Sequence, residues 1–277
     1  MDAYIAKYDT LTRKVVFDFP LGHGGIGDLT KFLLYLLQLC IENDVKLCCL
    51  RTECPVYNFL KLRYDKMYIS YYDIYTTKFI DNLSEISDLT PDVFYLVTPY
   101  TFYSAFEDKD IYLKMPYLLN DLLYFTDDVK RNAEQIIHPD VNYISIHLRQ
   151  GDKYLESYIN YNYTPETYSS YIHNKEDTRA FDESHLYSFI ENNAHRTIYF
   201  FCDNNNYKQM IKNKYNFINI TDYKIGHTGL YSTKPEEVLN SVTDFYLMAH
   251  SEHIYTASHS GFSKMAAKFK NTPITPI

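Results

Sequence analysis

Apolar and polar positions along this chain fall into short blocks that switch repeatedly between strand and helix spacing. Residues 14–19 read as a strand stopped by Pro20, and 45–50 as a second. Between them, Leu29, Phe32, Leu33, Leu36, Leu37 and Cys40 recur at helical spacing after the turn LGHGGIGD. A short helix is expected over 53–62, with Pro55 near its start, and further strands over 66–70 and 93–98. The tyrosine-rich SYYDIYTTKFIDN and the acidic LSEISDLTPD read as loop. Residues 99–110, with Tyr100, Phe102, Tyr103 and Phe106, read as an aromatic loop over an acceptor or as packing. Residues 116–138 read as mainly helical, with Leu118, Leu119, Leu122 and Leu123 on the apolar side. The second half repeats the alternation: strands over 141–148, 197–202, 217–220 and 253–257, and helices over 183–191, 235–250 and 264–269. Such alternation predicts α/β lobes with parallel sheets. We divide the chain into lobes of residues 1–138 and 139–277. Residues 153–179 lack periodicity and read as a lid or active-site loop.

Composition narrows the function classes. The 277 residues carry a formal net charge of -8, with no basic block or lysine-rich tail, so no nucleic-acid partner is expected. A small phosphorylated ligand needs only a local positive pocket. The most apolar stretch, 32–41, is too short for a membrane span and contains Gln38. No secretory signal is recognisable, so no stable membrane insertion and a cytoplasmic setting are expected. Five cysteines, Cys40, Cys48, Cys49, Cys54 and Cys202, match neither a disulfide framework nor a zinc spacing. Cys48 and Cys49, in an apolar run, read as buried thiols, and the set as a reducing compartment with no metal site.

The chemistry concentrates at strand ends. ISIHLRQGD, residues 144–152, is a buried-strand pattern ending in His147 and Arg149, which suits an anion at the carboxyl edge of an open sheet. Gly24, Gly25 and Gly27 permit close backbone approach, and the helix after them begins with N–H groups that hold anions. GHGGIGD resembles a dinucleotide-binding loop only loosely, and no clear ribose-binding acid follows. Asp28 is either a helix cap or a carboxylate facing a cleft. Asp203 either bonds a base or sugar or caps the helix beginning near Asn205. Ser258, Ser260, Gly261, Phe262 and Ser263 form a strand-to-helix turn suited to a second phosphate contact or to ordinary capping.

Taken together, these elements resemble a known group. HLRQGD is similar to the HxRxGD motif of the α1,2, α1,6 and protein O-fucosyl types of fucosyltransferase. GGIGD resembles their early GGxGN element, FFCDNN their intervening strand and acid, and DFYLMAHSEHIYTASHSGFSKMAA their closing helix, strand and serine turn. The resemblance implies a GT-B-like fold, two Rossmann-type lobes with a cleft between, and inverting transfer from a nucleotide sugar, usually without a metal. It implies GDP-fucose as donor, held by the second lobe, and a glycan acceptor. By the same resemblance Arg149 contacts the diphosphate and His147 lies beside the nucleotide. Asp203 and the serine turn line the donor pocket, Asp244 binds the base or its neighbours, and Gly25 and Gly27 approach the donor from the first lobe. Gln150 stands where a second arginine is common, and Asp28 where asparagine is usual. Another donor such as UDP-xylose, or a non-catalytic binding protein, therefore stays open. We take Asp28 as first-choice base and Asp152 as its rival. The asparagine- and tyrosine-rich chain suits a bacterial or large-virus enzyme.

Overall fold

The structure is a computed structural model that describes residues 1–52, 54–105, 116–154, 178–229 and 233–277. The chain opens on α1 (Asp2–Lys7), then β1 (Lys14–Phe17), α2 (Ile26–Glu42) and β2 (Lys46–Leu50). β3 (Leu60–Leu62), β4 (Tyr68–Ile69), β5 (Thr77–Phe79), β6 (Phe94–Val97) and α3 (Pro99–Ala105) follow. β7 (Leu123–Phe125) and α4 (Asp127–Ile136) lead to β8 (Ile144–Leu148), α5 (Glu183–Asn192), β9 (Ile198–Cys202), α6 (Asn205–Lys214) and β10 (Asn219–Ile220). α7 (Pro235–His250), β11 (His253–Thr256), α8 (Gly261–Lys270) and β12 (Ile274–Pro276) complete it.

Two all-parallel sheets result. The first has the order β4-β2-β1-β6-β5 and the second β10-β9-β8-β11-β12. Their central strands are buried on both faces, as sheets covered on two sides require. In the first sheet Val15, Phe17, Leu47 and Cys49 point to the side packed by α2, while Val16, Cys48, Leu50 and Phe94 share the other. In the second, Ile144, Ile146 and Leu148 pack with Leu186, Ile190 and Ile211 of α5 and α6. The opposite face, including Tyr199 and Phe201, meets α7 and α8. Those two helices continue the core of the first sheet, so one apolar cluster runs through both layers. All five cysteines are buried free thiols. Among the described residues no helix is long and apolar enough to cross a membrane.

Several expectations from the pattern change. The helix expected over 53–62 is a 3-10 turn, Pro55–Asn58, followed by β3, and Glu53 lies outside the described residues. The helix expected over 116–138 begins only at α4; before it, β7 pairs antiparallel with β3, Leu60 opposite Phe125. The leucine run is short enough to fit either period, and a partner sixty residues away decides it, with Phe125 packed on Phe269 at 4.4 Å. The tyrosine-rich segment contains the edge strand β5, whose exposed residues show no alternation. α1 was not anticipated; Tyr4 and Tyr8 anchor it by donating to Val45 O and Leu47 O of β2 and its approach. The expected lid over 153–179 falls largely on 155–177, and Phe106 on 106–115, outside the described residues.

Candidate functional site

The carboxyl edge of the second sheet is built by three neighbouring strand ends. β8 delivers His147 and Arg149, β9 delivers Asp203, and β11 delivers Ser258. Asp203 accepts the N–H of Gln150 at 2.7 Å and of Gly151 at 2.9 Å, and its carboxylate lies 3.2 Å from Arg149 Nη1. From the other side, Ser258 Oγ accepts the Arg149 N–H and donates to the Arg149 carbonyl, both at 2.8 Å. The turn after β8 is thus clamped from both neighbours. Gly151, at φ 116°, supplies a backbone conformation that a side chain resists. Arg149 also pairs with Asp152, which is buried. A guanidinium fixed by two carboxylates holds its plane in one orientation, which is what recognition of a planar or forked anion needs.

His147 is buried beneath this turn and lies face to face with Phe262, ring centroids 5.7 Å apart. Burial, with the Arg149 charge second, pushes its imidazole down to about 3, so it is neutral near pH 7. Its Nδ1 has no hydrogen-bond partner among the described residues.

Two helices begin at this edge. Ser260 caps α8 by accepting the Phe262 N–H at 3.2 Å, and Ser263 donates to the Ser260 carbonyl. α2 begins at Gly25, one residue from Gly27 across Ile26. A Cβ on Gly27 would lie 3.0 Å from the Gly261 carbonyl carbon and the Phe262 nitrogen, so the first turns of α2 and α8 touch backbone to backbone. Each such terminus carries about half a positive charge. Their abutment therefore brings two positive helix ends together, the one of α8 capped two residues beyond Ser258, which bonds the Arg149 backbone. The seam is reinforced from the loop before α7: Thr228 Oγ1 accepts the Ile26 N–H at 2.8 Å, and Gly22 N–H bonds the Gly229 carbonyl at 2.8 Å. His227 sits against Gly25, with its Nδ1 accepting the Gly229 N–H at 3.2 Å.

Asp28 occupies the first turn of α2, where a carboxylate complements the helix dipole. It pairs with Lys31 at 3.0 Å and keeps 40 % of its side chain exposed. It is not the cap residue, which is Gly25, so of the two sequence readings the structure discards capping. Gly24, at φ 126°, passes directly beneath its carboxylate.

Other sequence-expected residues take different positions. Asp203 does not cap α6; Asn204 does, accepting the Tyr207 N–H at 3.1 Å. Its oxygens hold the turn after β8 instead. Gly25 and Gly27 make their close approaches to protein, facing Thr228 and the backbone of α8. Asp244 lies inside α7's buried face, accepting the Tyr223 hydroxyl at 2.7 Å. Lys208 is buried beside it, donating to the Thr221 and Tyr223 carbonyls at 3.0 and 3.2 Å. Burial pushes the Asp244 carboxyl up to about 6 against the pull of Lys208. This cluster is a buried polar network within the second lobe. Gln150, in the place of a second arginine, accepts from Asn204 Nδ2 at 2.7 Å. Thr228 and Lys208 were missed. No local pattern marks either, because their partners lie far along the chain or in irregular loop. Among the described residues no three histidine, cysteine or acidic side chains come together to hold a metal.

No protein-family model matches this sequence, and no curated protein matches it. Solved structures do. POFUT1 in complex with GDP is 10% identical, with 96% of this chain and 98% of that chain covered at a TM-score of 0.55. A mutant of FUT1 from Arabidopsis thaliana in complex with GDP is 11% identical, covering 100% of this chain and 73% of that one at 0.52. The NodZ alpha-1,6-fucosyltransferase co-crystallized with GDP is 10% identical, covering 92% and 91% at 0.50. At such identities the likeness concerns the fold. Two Rossmann-type lobes in the GT-B-like arrangement of fucosyltransferase structures are what this chain forms.

Proposed function

We propose that this chain is an inverting glycosyltransferase that moves a sugar from a nucleotide diphosphate donor, GDP-fucose favoured, to a glycan hydroxyl. One arrangement carries the reading: Arg149 stands at the carboxyl edge of the second sheet, its backbone bonded to Ser258 just before α8, whose first turn meets that of α2. The fold it occupies is shared with structures that hold GDP. The second lobe, residues 139–277, takes the donor, and the first, 1–138, faces the acceptor. In the transfer, the acceptor oxygen bonds the anomeric carbon on the face opposite the diphosphate. The bond from that carbon to the phosphate oxygen breaks, and its electron pair leaves with the diphosphate. Arg149 and the helix termini stabilise that developing charge. The acceptor proton passes to a carboxylate, for which Asp28 is the candidate. No step is routed through a metal ion. The neutral imidazole of His147 and the Ser258 to Ser263 turn shape the donor pocket. The proposed setting is the cytoplasm, in keeping with five buried free thiols.

A donor other than GDP-fucose, such as UDP-xylose, draws on one observation. Gln150 is neutral and committed to Asn204, so no second cation stands beside Arg149 at that position. Thermal shift with GDP, UDP, GDP-fucose and UDP-xylose, each in excess, discriminates. A ligand at a hundred times its Kd adds about 2.7 kcal/mol to apparent stability. GDP and GDP-fucose are expected to shift the wild type and to leave Arg149→Ala unshifted. A UDP-only response selects the other donor, and no response to any nucleotide overturns the reading. Binding without release of GDP from GDP-fucose, in the presence of a glycan library, would mark a non-catalytic binder.

A further inference from the structure

The carboxyl edge of the first sheet carries a feature that donor chemistry does not use. Tyr71 and Tyr100 are 59% and 56% exposed there. Tyr71 follows β4 on one side of the central strand β1, and Tyr100 opens α3 after β6 on the other. Tyr71 neighbours Asp18, the residue after β1: burial raises the Asp18 carboxyl and the Tyr71 hydroxyl opposes that rise. Tyr100 meets His23 of the glycine turn edge to face, centroids 5.1 Å apart. The Tyr71 turn is itself stapled: Ser70 accepts the Tyr72 N–H, and Asp73 accepts the Ser70 N–H, both at 3.2 Å.

We propose that Tyr71 and Tyr100 form an acceptor subsite for a neutral oligosaccharide, laid along the carboxyl edge of the first sheet toward the glycine turn that carries Asp28. The inference rests on the transferase reading and names its acceptor class. Rigid tyrosines give large amphipathic contact at low entropic cost, and their negative faces suit the C–H faces of sugar rings. β4 and β6 are three strand spacings apart, about 14 Å, which a short oligosaccharide spans. A folded protein partner would need roughly 800 Å² on each side, far more than two separated rings present. Continuity with the glycine turn fixes the direction: Tyr100 touches His23, and Gly24 runs beneath Asp28.

The test uses the full chain with GDP bound. Saturation-transfer NMR and titration with chitotetraose, cellotetraose and lacto-N-tetraose measure affinity. At least one tetrasaccharide is expected to bind. Tyr71→Ala and Tyr100→Ala should each weaken it about threefold, and together about tenfold. Tyr75→Ala is the control. Its ring is 72% exposed but packs on Phe94, at the opposite end of the sheet, and its loss should leave affinity unchanged. Circular dichroism checks each fold; should Tyr71→Ala unfold, Tyr100→Ala carries the test. No binding by any of the three sugars, or undiminished binding to the double variant, overturns the subsite. The GDP thermal shift is read separately in every variant. A preserved shift with no sugar binding sinks the subsite alone, whereas sugar binding without any nucleotide shift sinks the transferase reading.

Discussion

Replacing Asp203 with asparagine tests whether the turn after β8 is held electrostatically. The carboxylate accepts two backbone N–H groups, at 2.7 and 2.9 Å, and faces Arg149 at 3.2 Å. Asp203→Asn turns one acceptor into a donor aimed at another donor, and removes a counter-charge from a guanidinium whose side chain is only 20 % exposed. Breaking a buried ion pair by removing one partner costs about 3–5 kcal/mol. Arg149 keeps Asp152, so the low end applies, about 3 kcal/mol, or a melting-point drop on the order of 10 °C. The companion Arg149→Met leaves two buried carboxylates without their cation. Burial already holds the Asp203 carboxyl above its usual range, with Arg149 the chief opposing influence. Without the arginine it rises further. An acid raised in the fold favours the native state at low pH, and that contribution is lost as pH rises through its folded value. The Arg149→Met deficit should therefore be smaller near pH 4 than near pH 7. Urea denaturation followed by circular dichroism measures all three proteins, including the double variant. We expect the two losses to fall short of additivity by about 1 kcal/mol or more. A loss under about 1 kcal/mol for Asp203→Asn, or full additivity, would refute the clamp.

Further outcomes follow from the same geometry. Gly27→Ala places a methyl 3.0 Å from backbone atoms of α8, so it should cost about 1–3 kcal/mol in urea denaturation and weaken the GDP thermal shift. His147 is neutral when buried but has a pKa of about 6.5 when unfolded, so the unfolded chain binds the extra proton between about 3 and 6.5. Stability therefore rises with pH across that window, and His147→Gln should flatten the slope by on the order of 1 kcal/mol per pH unit in urea melts. Asp28→Asn should collapse turnover while sparing the nucleotide-induced shift; near-normal turnover at every pH would remove Asp28 from the role of base.

How much of this was legible in the residues differs by element. β1, β2, β8 and β9 are covered on both faces, and their apolar runs announce them. β3, β5 and β7 are not announced, because each is three residues long and exists through its pairing. At the site, the HLRQGD block told where Arg149 and His147 emerge. It did not tell that Asp203 and Ser258 would grip the backbone around Arg149 from neighbouring strands, since both are capable of capping or ligand contact locally. Nor did it tell that Asp244 would accept from Tyr223 beside a buried Lys208, since both partners lie far along the chain. Thr228 meets Ile26 across 202 positions, a separation at which periodicity carries no information.

The glycine contact between α2 and α8 also limits how the molecule can move. With main chain against main chain at Gly27 and Gly261, and Thr228 pinning the start of α2, the floor of the groove has no slack to slide. Any widening must swing about that point like a book about its spine. The far rims then travel most, while the starts of α2 and α8 keep their mutual spacing.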